Sequence, residues 1–289
     1  MNATKYFAYI LFALLFLFSC RERVDINTEA SPPRVVIYGY ITTDTTQQAI
    51  RITRSTGYFA TTKPEGISGA TVSILSDDEI FPLNESPDDP GLYLTSPDVY
   101  GIPGKTYTLH VSLDFYGNGN TESYEASSYL PFPATLDSAV VTPSPVMDDF
   151  LQILIWGSLP EESSNNFNFL FFRNGIAMND SLRRFQIVQD DYIVNKQFSA
   201  LPVSLLNQNR DREKLSIGDT LTILVQSLTA DYATFIQNAQ DELFGSIPLF
   251  GGPPANVETN IRCVSSDLDP EISGYFTAYS KRSAFTIYE

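Results

Sequence analysis

At 289 residues, with 43% apolar and 18% charged side chains, the chain has the composition of folded material and enough length for two ordinary domains. Its formal net charge of −16 excludes nucleic acid as a partner, because phosphate backbones are held by clustered Lys and Arg that this chain lacks. One histidine and two cysteines leave it short of the four N/S ligands that a zinc site takes.

The first twenty residues have the layout of a bacterial lipoprotein signal peptide. Lys5 gives a positive start, residues 6–18 are an unbroken apolar run, and Leu17-Phe18-Ser19 leads into Cys20. That run is too short for a bilayer, which takes about 20 residues, and Arg21, Glu22, Arg23 and Asp25 follow at once. Cleavage after residue 19 leaves Cys20 as the lipid-bearing first residue of an exported protein. Residues 20–33 are polar, end in Ser31-Pro32-Pro33, and read as an extended tether. With Cys20 acylated, Cys263 has no intramolecular disulfide partner and reads as a small buried hydrophobe.

From 34 to 130 the pattern is short β-strands between turn signals. Runs at 35–42 and 49–54 are rich in β-branched and aromatic residues, and 70–75 leads through Ser76-Asp77-Asp78 into 79–83 as a hairpin. A run at 91–94 precedes 105–113, where Tyr107, Leu109, Val111 and Leu113 share one face and Thr106, Thr108, His110 and Ser112 the other. A run at 123–130 closes this unit, which has the strand spacing of an antiparallel β-sandwich. Leu130-Pro131-Phe132-Pro133-Ala134 marks a stiff boundary, since two prolines cannot continue a sheet interior.

Residues 135–289 form a second β-rich domain. Strands are expected at 138–142 and at 150–157, which carries the single Trp156. The run 166–173 sets Phe167, Phe169 and Phe171 against Leu170 and Phe172, the pattern of a central strand, and Asn174-Gly175 turns a hairpin after it. Further strands fall at 185–188, 192–198, 219–228, 274–280 and 284–288. One amphipathic helix near 229–244 stands out: Thr229 is its N-cap, and Tyr232, Phe235, Ile236, Ala239 and Leu243 form its stripe. The expected fold is therefore all-β, two antiparallel β-sandwich domains, the second carrying one helix.

The phrases Val36-Ile37-Tyr38-Gly39-Tyr40-Ile41-Thr42, Gly69-Ala70-Thr71-Val72-Ser73-Ile74, Gly91-Leu92-Tyr93 and Gly104-Lys105-Thr106-Tyr107-Thr108-Leu109 stand in order behind the lipoprotein start. Asn256-Val257-Glu258-Thr259-Asn260-Ile261 and Gly274-Tyr275-Phe276-Thr277-Ala278 follow them. Together they resemble a Bacteroidota lipoprotein family known as domain of unknown function 4249. The stretch from Ser68 to Leu113 also resembles the carboxypeptidase-regulatory or transthyretin-like sandwich. The resemblance implies an outer-membrane lipoprotein found alongside TonB-dependent receptors, with no assigned reaction.

Chemistry is sparse. A Ser-His-Asp arrangement would have to use His110, which sits among threonines on a polar strand face. Asn179-Asp180-Ser181-Leu182 lacks the glycine of an esterase signature, and Gly66-Ile67-Ser68-Gly69 is not a nucleophile elbow. Asp267, Asp269 and Glu271 alternate and make a weak calcium candidate without EF-hand spacing, and a glycosidase-like carboxylate pair leaves no spacing to read. The stronger signal is the apolar, glycine- and proline-rich segment 243–254, whose Phe244, Ile247, Leu249 and Phe250 are candidate partner contacts. The reading is a lipid-anchored accessory binding protein, not an enzyme and without a cofactor. A structural or adhesive surface module is the alternative, and a hydrolase the remaining one.

Overall fold

Along β1 (Val35–Thr42), Val35, Ile37 and Ile41 are buried while Tyr38 and Tyr40 point the other way, as the two-residue period of a pleated strand dictates. The computed structural model describes residues 32–57, 60–161, 166–179, 181–189, 193–244, 257–265 and 271–289. The same alternation builds β2 (Ala49–Arg54), β3 (Thr71–Ser76), β4 (Glu79–Glu85), β5 (Leu92–Leu94), β6 (Thr106–Leu113) and β7 (Glu122–Tyr129). β1, β2, β5 and the end of β4 make one layer. The start of β4 joins β3, β6 and β7 in the other. Asp77 takes a positive φ of 50° in the β3–β4 turn, which the acidic pair predicts. Ile37, Ile50, Ile74, Tyr93, Leu109, Tyr124 and Leu130 fill the first core between the layers.

The second half contains β8 (Ser138–Pro143), β9 (Phe150–Ser158), β10 (Asn166–Arg173), β11 (Ile176–Ala177), β12 (Ile187–Gln189), β13 (Gln197–Asn207) and β14 (Thr220–Leu228). β13, β9 and β8 form a separate sheet in that order. β10 lies inside the facing sheet, between β14 and the short β11 and β12. Phe167, Phe169 and Phe171 enter the second core with Ile153, Ile155, Leu221 and Ile223, while Leu170 and Phe172 are half-buried on the other face. The strand expected at 192–198 differs: residues 194–196 make a tight turn and the strand runs from Gln197 to Asn207, through two register shifts. Ala200, at φ 55°, and Pro202 fall in that irregular stretch and interrupt the alternation that would announce a long strand.

The chain closes with α1 (Ala230–Phe244), β15 (Arg262–Cys263) and β16 (Ser273–Ile287). Two strands are expected at 274–280 and 284–288, but one continuous strand of 15 residues is found. The polar Lys281-Arg282-Ser283 lies just beyond the point where β16 changes partner. Ser273 to Tyr279 pair with β1, and Ser280 to Ile287 pair with β14. The β1–β16 ladder is parallel, a correction to the purely antiparallel sheets expected. Parallel neighbours need a long connection, and nearly the whole described chain lies between these two. Phe276 and Ala278 thereby enter the first core, and Tyr288, just past the strand, packs against the second.

On its other side in the first sandwich, β16 is met by side chains. The Asn260 side-chain carbonyl accepts the Phe276 N–H at 3.1 Å and its amide donates to the Phe276 carbonyl at 2.8 Å. Ser128 accepts the Ala278 N–H at 2.9 Å. These bonds stand in for a neighbouring strand and seal the seam between the two layers. Asn260 thus joins two of the phrases on which the family resemblance rests.

Gly274 has φ +104°, and a Cβ placed there would lie 1.9 Å from the Ile37 carbonyl oxygen. Gly117 shares a positive φ of +64° but faces open space. Gly274→Ala is expected to cost about 3 kcal/mol or more, because overpacking adds to the conformational penalty, and Gly117→Ala about 1 kcal/mol. Urea unfolding midpoints of the two variants check the difference.

Candidate functional site

α1 begins where the sequence signals it: Thr229 Oγ1 accepts the Tyr232 N–H at 3.3 Å. Its stripe of Tyr232, Ile236 and Ala239 is buried, with Phe235 half-buried beside it. It packs on the outward face of β1 and β16, where Tyr40, Tyr275 and Tyr279 project away from the first core. Rings gather closely there. Phe235 and Tyr275 have centroids 4.6 Å apart, Tyr232 and Tyr275 5.3 Å, and Tyr40 and Tyr279 5.6 Å. The Tyr38 and Tyr232 hydroxyls share a hydrogen bond of 2.9 Å across the helix–sheet interface. Burial pushes the hydroxyls of Tyr38, Tyr232 and Tyr279 above their ordinary range. Tyr275 is pushed up to about 12 by burial and then by the nearby Asp231 charge.

Beside this cluster a groove of about 300 Å³ opens between α1 and residues 258–260. One helix stripe, Asp231, Thr234, Phe235 and Asn238, forms one wall; Glu258, Thr259 and Asn260 form the other, and Tyr275 completes the lining. Asn260 is already committed to Phe276, so its role here is to fix the wall. Asp231, Asn238, Glu258 and the threonine hydroxyls give the groove acceptors and donors above an aromatic floor. That combination suits a polar, hydroxyl-bearing molecule held by hydrogen bonds and a ring face. Sequence reasoning missed the groove, although the 3- and 4-residue spacing of Asp231, Thr234, Phe235 and Asn238 is a readable second stripe beside the core one.

Of the sequence-predicted contact residues, Phe244 is the last residue of α1 and is 47% exposed, with the Arg183 guanidinium 5.3 Å from its ring centre. Leu243, expected on the buried stripe, is 64% exposed. Ile247, Leu249 and Phe250 lie outside the described residues, as do Cys20, Asp267 and Asp269. Glu271, the described member of the calcium candidate, pairs with Arg34. Among the described residues no three His, Cys, Asp or Glu side chains gather as metal ligands.

His110 lies between Ser73 on β3 and Glu125 on β7, its cross-strand neighbours on the outer sheet face. The close contact in that row is His110 Nδ1 to Glu125 at 3.2 Å, and Glu125 also meets Arg262 at 3.3 Å. Asn179 is a structural clasp: its carbonyl accepts the Phe171 N–H at 2.8 Å and its amide donates to the Phe169 carbonyl at 2.7 Å. Cys263 is half-buried on β15, opposite Tyr124.

The family model described as Domain of unknown function (DUF4249) matches residues 21–284. No curated protein matches the sequence. Among solved structures, a Parabacteroides merdae beta-glucuronidase with glycerol in its active site aligns at 13% identity and a TM-score of 0.22. The alignment covers 68% of this chain and 23% of that one, so the chain spans about a quarter of the enzyme's length.

Two outcomes follow from the tyrosine cluster. Tyr232→Phe strands the Tyr38 hydroxyl and is expected to lower stability by about 1 kcal/mol, read from the urea midpoint. Phenols ionise near pH 10 in an unfolded chain, whereas Tyr38, Tyr232, Tyr275 and Tyr279 hold their protons longer when folded. The unfolded state therefore loses protons first. The contribution of these four phenols is therefore fully present below about pH 10 and is lost as pH rises through the folded values; comparing the change in urea midpoint between pH 8 and pH 11.5 in the wild type and in Tyr232→Phe separates the Tyr232 share from the lysines that titrate over the same range.

Proposed function

From the premise that the chain belongs to the family described as Domain of unknown function (DUF4249), we propose that it is a lipid-anchored outer-membrane binding protein. It works beside a TonB-dependent receptor in nutrient uptake and carries out no reaction of its own. The observation that carries the reading is Cys20, placed directly after an apolar run and ahead of a short polar stretch that leads into β1. Fully extended, the residues between Cys20 and Val35 reach about 50 Å at roughly 3.3 Å each, ample to hold a folded unit off a bilayer surface.

The groove beside α1 supports the binding half of the proposal. Its acceptors and aromatic floor fit a small hydroxyl-rich nutrient, and the exposed Leu243 and Phe244 at the end of the same helix offer apolar surface to a larger partner. A structural or adhesive module is the second reading. The exposed Phe285 and Ile287, 70% and 54% accessible at the end of β16, favour it because they leave apolar sheet surface that is not part of the groove lining.

Metabolic labelling with a palmitate analogue tests the anchor. The protein is expected to label and to fractionate with outer membranes, and Cys20→Ala to lose both. An unlabelled wild-type chain sinks the proposal. Purification of the acylated protein in mild detergent is expected to recover a β-barrel receptor; normal nutrient uptake in a deletion strain would instead select the adhesive reading.

A further inference from the structure

The second sandwich has an open side, where β13 is the edge of one sheet and β10, with β11 and β12, ends the other. A cleft of about 350 Å³ lies there, within the range of small-molecule pockets. Phe150 and Leu205 give it an apolar wall, backed by Phe171, Met178 and Leu206 of the second core. Arg183, Arg184 and Arg210 line the same cleft, against a single carboxylate, Glu213. In a chain of net charge −16, such a concentration of arginine runs against the overall balance.

The arginines are positioned by the fold. The Asn179 clasp on Phe169 and Phe171 fixes the segment that follows β11 against the sheet, and the tight turn Leu182–Arg184 grows from it. Arg184 then donates one N–H to the Met178 carbonyl at 3.0 Å, which holds its guanidinium over the cleft wall. Glu213 is spent internally: one oxygen accepts the Asn207 N–H at 2.9 Å and the other meets Arg210 at 3.2 Å. Among the described residues Arg183 and Arg184 form no ion pair, so their positive charge is the cleft's uncompensated charge. Each guanidinium carries five N–H donors in a planar fork that matches the oxygens of an oxyanion.

We propose that this cleft binds a small amphipathic anion, with its carboxylate or sulfate group on Arg183 and Arg184 and its apolar body against Phe150 and Leu205, over the covered edges of Phe171, Met178 and Leu206. Charge complementarity identifies the occupant: the apolar wall alone would accept any hydrophobe, but two forks at its rim select the ones that end in an oxyanion. The site is separate from the α1 groove and from any lipid on Cys20, so it stands or falls independently of the proposed function.

Calorimetric titration of the full chain with sodium decanoate, below its micellar concentration, is the test. Decanoate and decyl sulfate are expected to bind with similar affinity, while decyltrimethylammonium and octyl glucoside bind at least tenfold more weakly. The double variant R183A/R184A is expected to lose at least tenfold in decanoate affinity with an unchanged circular dichroism spectrum, since both side chains are exposed. Ser204→Trp, which fills the cleft and leaves every arginine in place, is expected to lose binding as well. Equal binding of the cationic amphiphile, undiminished affinity in R183A/R184A, or equal binding of acetate would each overturn the proposal. Binding to phosphatidylglycerol vesicles without binding of monomeric decanoate would overturn it in favour of a membrane surface.

Discussion

The fold depends on one shared strand. β16 contributes its first half to the sandwich begun by β1 and its second half to the sheet built on β14, so the backbone ladder passes from one core to the other without a break. Phe276 and Ala278 are therefore core residues of a unit whose other strands, the short β15 apart, end more than a hundred residues earlier. Tyr275 and Tyr279, on the opposite face of the same stretch, form the platform for α1. A single run of sequence thus closes one core, ties it to the next and seats the helix that borders the groove.

Side-chain amides finish what strands leave open. Asn260 clasps Phe276 and Asn179 clasps Phe169 and Phe171, each offering a carbonyl and an N–H to backbone groups that lack a neighbouring strand at that point. Glu85 does related work in a loop, accepting the N–H groups of Gly69 at 3.1 Å and Gly91 at 2.9 Å, and hydrogen bonding, led by Ser68, holds its carboxyl below the usual range. Buried backbone groups without partners are costly, so these clasps set where each sheet can end. Two of them border the two clefts: Asn260 stands in the wall of the α1 groove, and Asn179 anchors the turn that carries Arg183 and Arg184.

Much of this was legible in the residues. Period-two alternation gives β1 and β6 to within a residue, the continuous apolar run at 166–173 gives β10, and the Thr229 cap with its stripe gives α1, because these depend only on neighbours close in sequence. The parallel β1–β16 ladder was not legible, since register between distant strands leaves no local trace, and Lys281-Arg282-Ser283 looked like an end to the strand rather than a change of partner. β13 was hidden by its own irregularities at Ala200 and Pro202. The clefts escaped for a different reason. Asp231 and Glu258, or Arg184 and Arg210, come together only through tertiary folding, and no spacing rule joins them.

The parallel ladder has a mechanical consequence. A pull on the chain at Val35, opposed by one at Ile287, would draw β1 and β16 along their axes in opposite directions. The seven paired positions between the strands would then be strained at once, in shear, instead of parting one after another like a zip. Such an arrangement resists extension along the strand axes.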